Sequence, residues 1–100
     1  MVNNAVDCEV ALRKVREVLE QEYSVKKVQL FGSFARGTAN AKSDVDLLVE
    51  FNQVPGFIKL AILQNYLESI LGRKVDLVTY RGLKPIVMKS IKNDLTLIYG

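Results

Sequence analysis

Leu30-Phe31-Gly32-Ser33-Phe34-Ala35-Arg36-Gly37 and, a few residues on, Ser43-Asp44-Val45-Asp46-Leu47-Leu48-Val49 decide how this chain folds. The first run ends a strand predicted over Val25 to Phe31, where the apolar pattern breaks abruptly at Gly32. Gly32 to Gly37 then predicts a tight turn into about one helical turn, with Gly37 as the stop. Val45 to Phe51 is almost continuously apolar, which predicts a central strand covered on both faces. Ten residues separate Gly32-Ser33 from Asp44-Val45-Asp46, so the end of one strand and the opening of the next can meet.

Side chains alternate along a strand, so Asp44 and Asp46 project the same way, about 7 Å apart along the backbone. Two like charges on one face repel each other unless a cation lies between them. Magnesium suits such a pair, because it takes one or two carboxylates together with substrate phosphates and water. Gly32 and Ser33 offer a phosphate cradle: glycine permits close backbone approach, free helix N–H groups favour anions, and the hydroxyl can donate. Arg36 can add a charged contact. Taken residue by residue, the aspartates are equally well solvated turn residues, and Gly32-Ser33 a turn and a helix cap. Gly32 to Thr38 also spells G-x-x-x-x-G-T, but lacks the lysine that gives a P-loop its charge. Phe34 rules out a G-x-G-x-x-G dinucleotide fingerprint.

Outward from this centre, Ala5 to Gln21 predicts an amphipathic helix capped by Asn4. Pro55-Gly56 opens a second long helix through Leu71, with Phe57, Leu60, Ala61, Leu67, Ile70 and Leu71 as its expected buried stripe and Gly72 as its stop. Val75 to Tyr80 predicts a third strand. Pro85 to about Asn93 predicts a short helix whose Ile86, Val87, Met88 and Ile91 are expected in the core, and Leu95 to Tyr99 a final edge strand. The order implies one α/β (α+β) domain over residues 1–100, with helices packed on a mixed sheet of three to four strands.

With 49% hydrophobic and 25% charged residues of both signs, the composition suits a globular fold. No apolar run or leader pattern suggests a membrane or export, so a cytoplasmic protein is expected. The chain has no histidine, which excludes Ser-His-Asp and Cys-His chemistry and leaves carboxylates, metals or lysine. Cys8 stands alone, expected as a buried structural residue. A net charge of +3 is a weak field, so no stable nucleic-acid binding is expected.

The two quoted runs resemble the signature of the minimal nucleotidyltransferases, in the DNA polymerase β-like superfamily. The resemblance covers nearly the whole chain. It implies the polymerase β-like fold, ATP as substrate, and two magnesium ions held by Asp44, Asp46 and a third carboxylate on a neighbouring strand. Asp76, in Lys74-Val75-Asp76-Leu77-Val78, is the convincing match, whereas Asp7 and Asp94 are unsuitably placed. Asp44, Asp46 and Asp76 are thereby implied as catalytic and metal-binding, and Gly32, Ser33 and Arg36 as nucleotide-binding. Small members resemble the antitoxins of toxin–antitoxin pairs whose other half is a helical HEPN-type toxin, some transferring AMP to a tyrosine of that toxin. The rival is a contact-only antitoxin or nucleotide-binding module. Modification of a small molecule is disfavoured, since no second domain is expected to enclose one.

Overall fold

A computed structural model describes residues Met1–Gly100. The elements are α1 (Ala5–Lys14), α2 (Arg16–Tyr23), β1 (Val25–Phe31), α3 (Gly32–Arg36), β2 (Val45–Phe51), α4 (Phe57–Leu71), β3 (Val75–Thr79), α5 (Pro85–Ile91) and β4 (Thr96–Tyr99). The strands form one mixed sheet in the order β3-β2-β1-β4, with β2 central as expected. β2 runs antiparallel to β1 and parallel to β3, and β4 runs antiparallel to β1.

One sheet face is the core. Val28 pairs with Val49 and Leu30 with Leu47 across β1 and β2. These residues pack with Cys8, Leu12 and Leu19 of α1 and α2 and with Leu63, Leu67 and Leu71 of α4. Asn4 caps α1 as predicted: the Asp7 N–H donates to Asn4 Oδ1 at 2.8 Å, and Asp7 Oδ2 accepts from the Asn3 N–H at 2.9 Å. Asp7 is therefore a capping residue. Cys8 is fully buried, and desolvation pushes its thiol up to about 11, so it is an inert core residue.

The opposite face carries Gln29 and Phe31 of β1, Asp46 and Leu48 of β2 and Asp76 of β3. β3 and β4 lie at opposite edges yet point the same way, so residues 80–95 must cross the sheet. They cross the face away from α1, α2 and α4, the side a right-handed connection requires. Tyr80 marks that route by donating its hydroxyl to Gln29 Oε1 at 2.9 Å.

Four expectations are corrected. The first helix breaks at Val15 (φ −108°, ψ 13°), which lets α1 pack on α4 and β4 while α2 packs on β1. The buried stripe of α4 is Leu63, Leu67 and Leu71; Phe57 and Ala61 face solvent, and Leu60 and Ile70 are half-buried. α5 buries no residue, and Ile86 is 76% exposed. β2 is sealed on both faces only at Leu48, since Asp46 and Glu50 beside it are partly exposed. No helix is long and apolar enough to cross a membrane.

Candidate active site

β1 ends at Phe31, and the chain turns through Gly32 at φ +75°, a left-handed conformation that favours glycine. A second demand on Gly32 comes from its neighbour. A Cβ built there would lie 2.0 Å from Asp46 Oδ2 and 2.9 Å from its Cγ. The glycine is thus the surface on which the Asp46 carboxylate rests. α3 follows at once with no side chain capping its N-terminus, so its first N–H groups are free to meet an anion. It closes at Gly37, φ +77°, whose N–H reaches the carbonyls of Phe34 and Ser33. Gly32 and the half-buried Ser33 therefore sit where the sequence placed them, although Ser33 is inside the helix and caps nothing.

The carboxylates are gathered by strand register. Asp46 stands opposite Phe31 on one side and opposite Asp76 on the other, so Asp46 and Asp76 are direct neighbours across the parallel β2–β3 pair. Asp44 precedes β2 and is exposed. The place of Asp76 is fixed from α4: Gln64 Nε2 donates to the Val75 carbonyl at 3.1 Å, and the Val75 N–H donates to Glu68 Oε2 at 3.0 Å.

Arg36 lies at the far end of α3, where its Nη1 donates to Asp94 Oδ2 at 2.8 Å. Asp94, set aside on sequence grounds, is thus the partner of a predicted nucleotide ligand. Arg73, read from sequence only as part of the approach to Asp76, has a larger structural part. Its guanidinium donates to the carbonyls of Val2 (2.7 Å), Asn40 (2.9 Å) and Ser43 (3.2 Å) and lies 5.0 Å over the Phe34 ring. It ties α3 to the loop that delivers Asp44, a contact that no sequence pattern marks.

Electrostatics follow from this crowding. Burial, then the charges of Asp76 and Asp44, push the Asp46 carboxyl up from 3.8 to about 6, and hydrogen bonding to Asp76 adds to the rise. No group of three or more histidine, cysteine, aspartate or glutamate side chains is arranged to hold a metal ion by itself. An all-oxygen set of mutually repelling carboxylates, open toward solvent, nevertheless fits magnesium, which keeps water and phosphate ligands of its own. Asp46 and Asp76, adjacent across β2 and β3, and Asp44 just before β2 are the carboxylates that could contribute to such a set.

A pH dependence is predicted from the raised carboxyl. Magnesium must displace the Asp46 proton, so its affinity should be steady above neutrality and fall as pH drops through about 6. Calorimetric titration in buffers of different ionisation enthalpy checks this by counting the proton released. Affinity unchanged down to pH 5 would remove Asp46 from the ligand set.

Residues 12–98 match the nucleotidyltransferase domain family. Among related chains, a predicted protein adenylyltransferase of Methanocaldococcus jannaschii is 46% identical over 85 residues, covering 84% of this chain and 87% of that one. The protein adenylyltransferase MntA of Thermococcus cleftensis is 35% identical over 92 residues, covering 92% and 93%. Among solved structures, a toxin–antitoxin complex with AMP-PNP contains a chain that superposes with a TM-score of 0.76 at 26% identity, covering 92% of this chain and 73% of its own. With the glycine-serine turn and the paired strand aspartates present in a matching fold, this chain belongs to the nucleotidyltransferase domain family.

Proposed function

We propose that this nucleotidyltransferase moves AMP from ATP to a tyrosine hydroxyl of a HEPN-type toxin, acting in the cytoplasm as its antitoxin with the help of two magnesium ions. The observation that carries the proposal is the register of Asp46 against Asp76, with Gly32 and the uncapped start of α3 beside them. The protein adenylyltransferase relatives and the AMP-PNP-bound toxin–antitoxin structure support the substrate and the partner.

Bound divalent ions would lower the pKa of the acceptor hydroxyl and offset charge on the phosphates. The protein's own groups do the rest. Ser33 and the backbone of α3 hold the β and γ phosphates, and Arg36 exchanges Asp94 for phosphate oxygen. The acceptor oxygen forms a bond to the α-phosphorus as the bond to the α–β bridging oxygen breaks and pyrophosphate departs. A carboxylate oxygen of Asp76 takes the acceptor proton, a duty no histidine is present to perform.

The test uses α-labelled ATP, the HEPN-type partner, and wild-type protein beside Asp44→Asn, with and without magnesium. Label should appear on the partner only with wild type and magnesium. Partner inhibition that survives in Asp44→Asn without any label would instead identify a contact-only antitoxin.

A further inference from the structure

The segment that crosses the catalytic face has a composition of its own. From Tyr80 to Asn93 it contains Arg81, Lys84, Lys89 and Lys92 and no acidic residue. The ion pairs of the protein involve other side chains, so these four cations are unpaired. Among them α5 exposes Ile86 (76%) and Val87 (40%). The segment leaves β3 at the end remote from Asp76 and rejoins the sheet beside α3, where Asp94 meets Arg36. The crossing segment, tied at Tyr80 and Asp94, therefore runs on the side of the sheet that bears Asp46 and Asp76.

The geometry points to α5 and its flanking lysines as the docking face for the protein acceptor, a partner whose contact surface is acidic with apolar side chains among its carboxylates. This deepens the adenylylation proposal and rests on it. Unpaired cations on the same side of the sheet as the site steer an acidic partner and fix its orientation. The exposed isoleucine and valine favour protein over nucleic acid, because a phosphate backbone gains little from them whereas a protein interface buries such residues at its centre. A larger apolar patch exists on α4, where Phe57 is 94% and Ile58 80% exposed. It sits at the opposite end of the molecule, beyond the C-terminal end of β2 and on the helical layer, away from the face that bears the carboxylates.

The experiment compares wild type with Lys84→Glu/Lys89→Glu and with Ile86→Ser, all surface changes. It reads transfer kinetics toward the HEPN-type partner, partner affinity, and AMP-PNP affinity. The charge reversal should raise the partner KM by about tenfold or more and Ile86→Ser by several-fold, with kcat and AMP-PNP affinity unchanged. Added salt should weaken partner binding by wild type far more than by the charge-reversed variant. A partner KM unchanged in both variants overturns the docking face while leaving adenylylation intact. Absence of transfer by wild type overturns adenylylation, and partner affinity then decides docking: a drop on charge reversal upholds it, no drop overturns it. Retention of a labelled RNA by wild type, lost in the charge-reversed variant with partner affinity unchanged, would reassign the face to nucleic acid.

Discussion

Asp46→Asn should lower AMP transfer by at least about 10³-fold and raise the melting temperature in the same protein. The loss follows, on the proposed function, from removing the carboxylate that lies between the Gly32 turn and Asp76. The gain follows from the raised Asp46 carboxyl. Its ionised form is disfavoured in the fold by burial and by the two neighbouring aspartates, so at neutral pH the native state carries an electrostatic cost that the unfolded chain does not. That cost is complete above about pH 6 and vanishes below the unfolded value of 3.8, where the carboxyl is neutral in both states. Solvent screening of a part-buried group reduces the effect to about 1 kcal/mol at pH 7. In a domain of this size that is about 4–8 °C. Thermal melts without metal at pH 7.5 and pH 4 check it: asparagine should stabilise at the first and be nearly neutral at the second. A variant that melts lower than wild type at pH 7.5 would mean that the carboxylate is structural.

Gly32→Ala should cost about 10²-fold or more in transfer, far beyond its effect on folding. Two separate penalties apply. The left-handed backbone costs an alanine about 1–2 kcal/mol, and the new methyl would stand 2.0 Å from Asp46 Oδ2. The carboxylate must give way, and it is the group that has to be placed accurately. Gly37→Ala separates the penalties, because Gly37 has nearly the same φ, +77°, but nothing within 4 Å of its would-be Cβ. It should lose comparable backbone stability and keep most of its activity. Kinetics and melting curves of the two variants, side by side, decide the matter; equal activity losses would refute the role of Gly32 as a seat for Asp46.

The strands were read to the residue where composition changes sharply, as at Phe31-Gly32 and at Ser43-Asp44 before Val45. The path of the helices was not, and for a physical reason in each case. Val15 breaks α1 from α2 with no glycine or proline, because the two halves find different neighbours in the packed fold. α4 is apolar on nearly every side at its start, through Phe57, Ile58, Leu60, Ala61, Ile62 and Leu63, so periodicity could not say which side faces the sheet. α5 looked like core because its apolar residues are contiguous, but the crossing segment leaves Ile86 and Val87 at the surface and Met88 and Ile91 only half-buried. The positions of Gly32, Asp44 and Asp46 around the start of β2 were legible through spacing, and that of Asp76 on the neighbouring strand through the family pattern. The role of Arg73 and the Arg36–Asp94 pair were not, since both depend on contacts between residues far apart in sequence.

The pairing of Asp46 with Asp76 depends on counting. β3 reaches its place through the fifteen-residue α4 and the short turn at Gly72-Arg73-Lys74, and Gln64 and Glu68 grip both backbone groups of Val75. One residue inserted between Gly72 and Val75 would exchange the two faces of β3, sending Asp76 toward the helices and a hydrophobic side chain toward the phosphates. Chain length between the anchoring residues of α4 and the third strand is therefore under the same constraint as the aspartates themselves. Insertions that this family tolerates should accumulate in the loop before Pro55 or after Tyr80, where no such measure is kept.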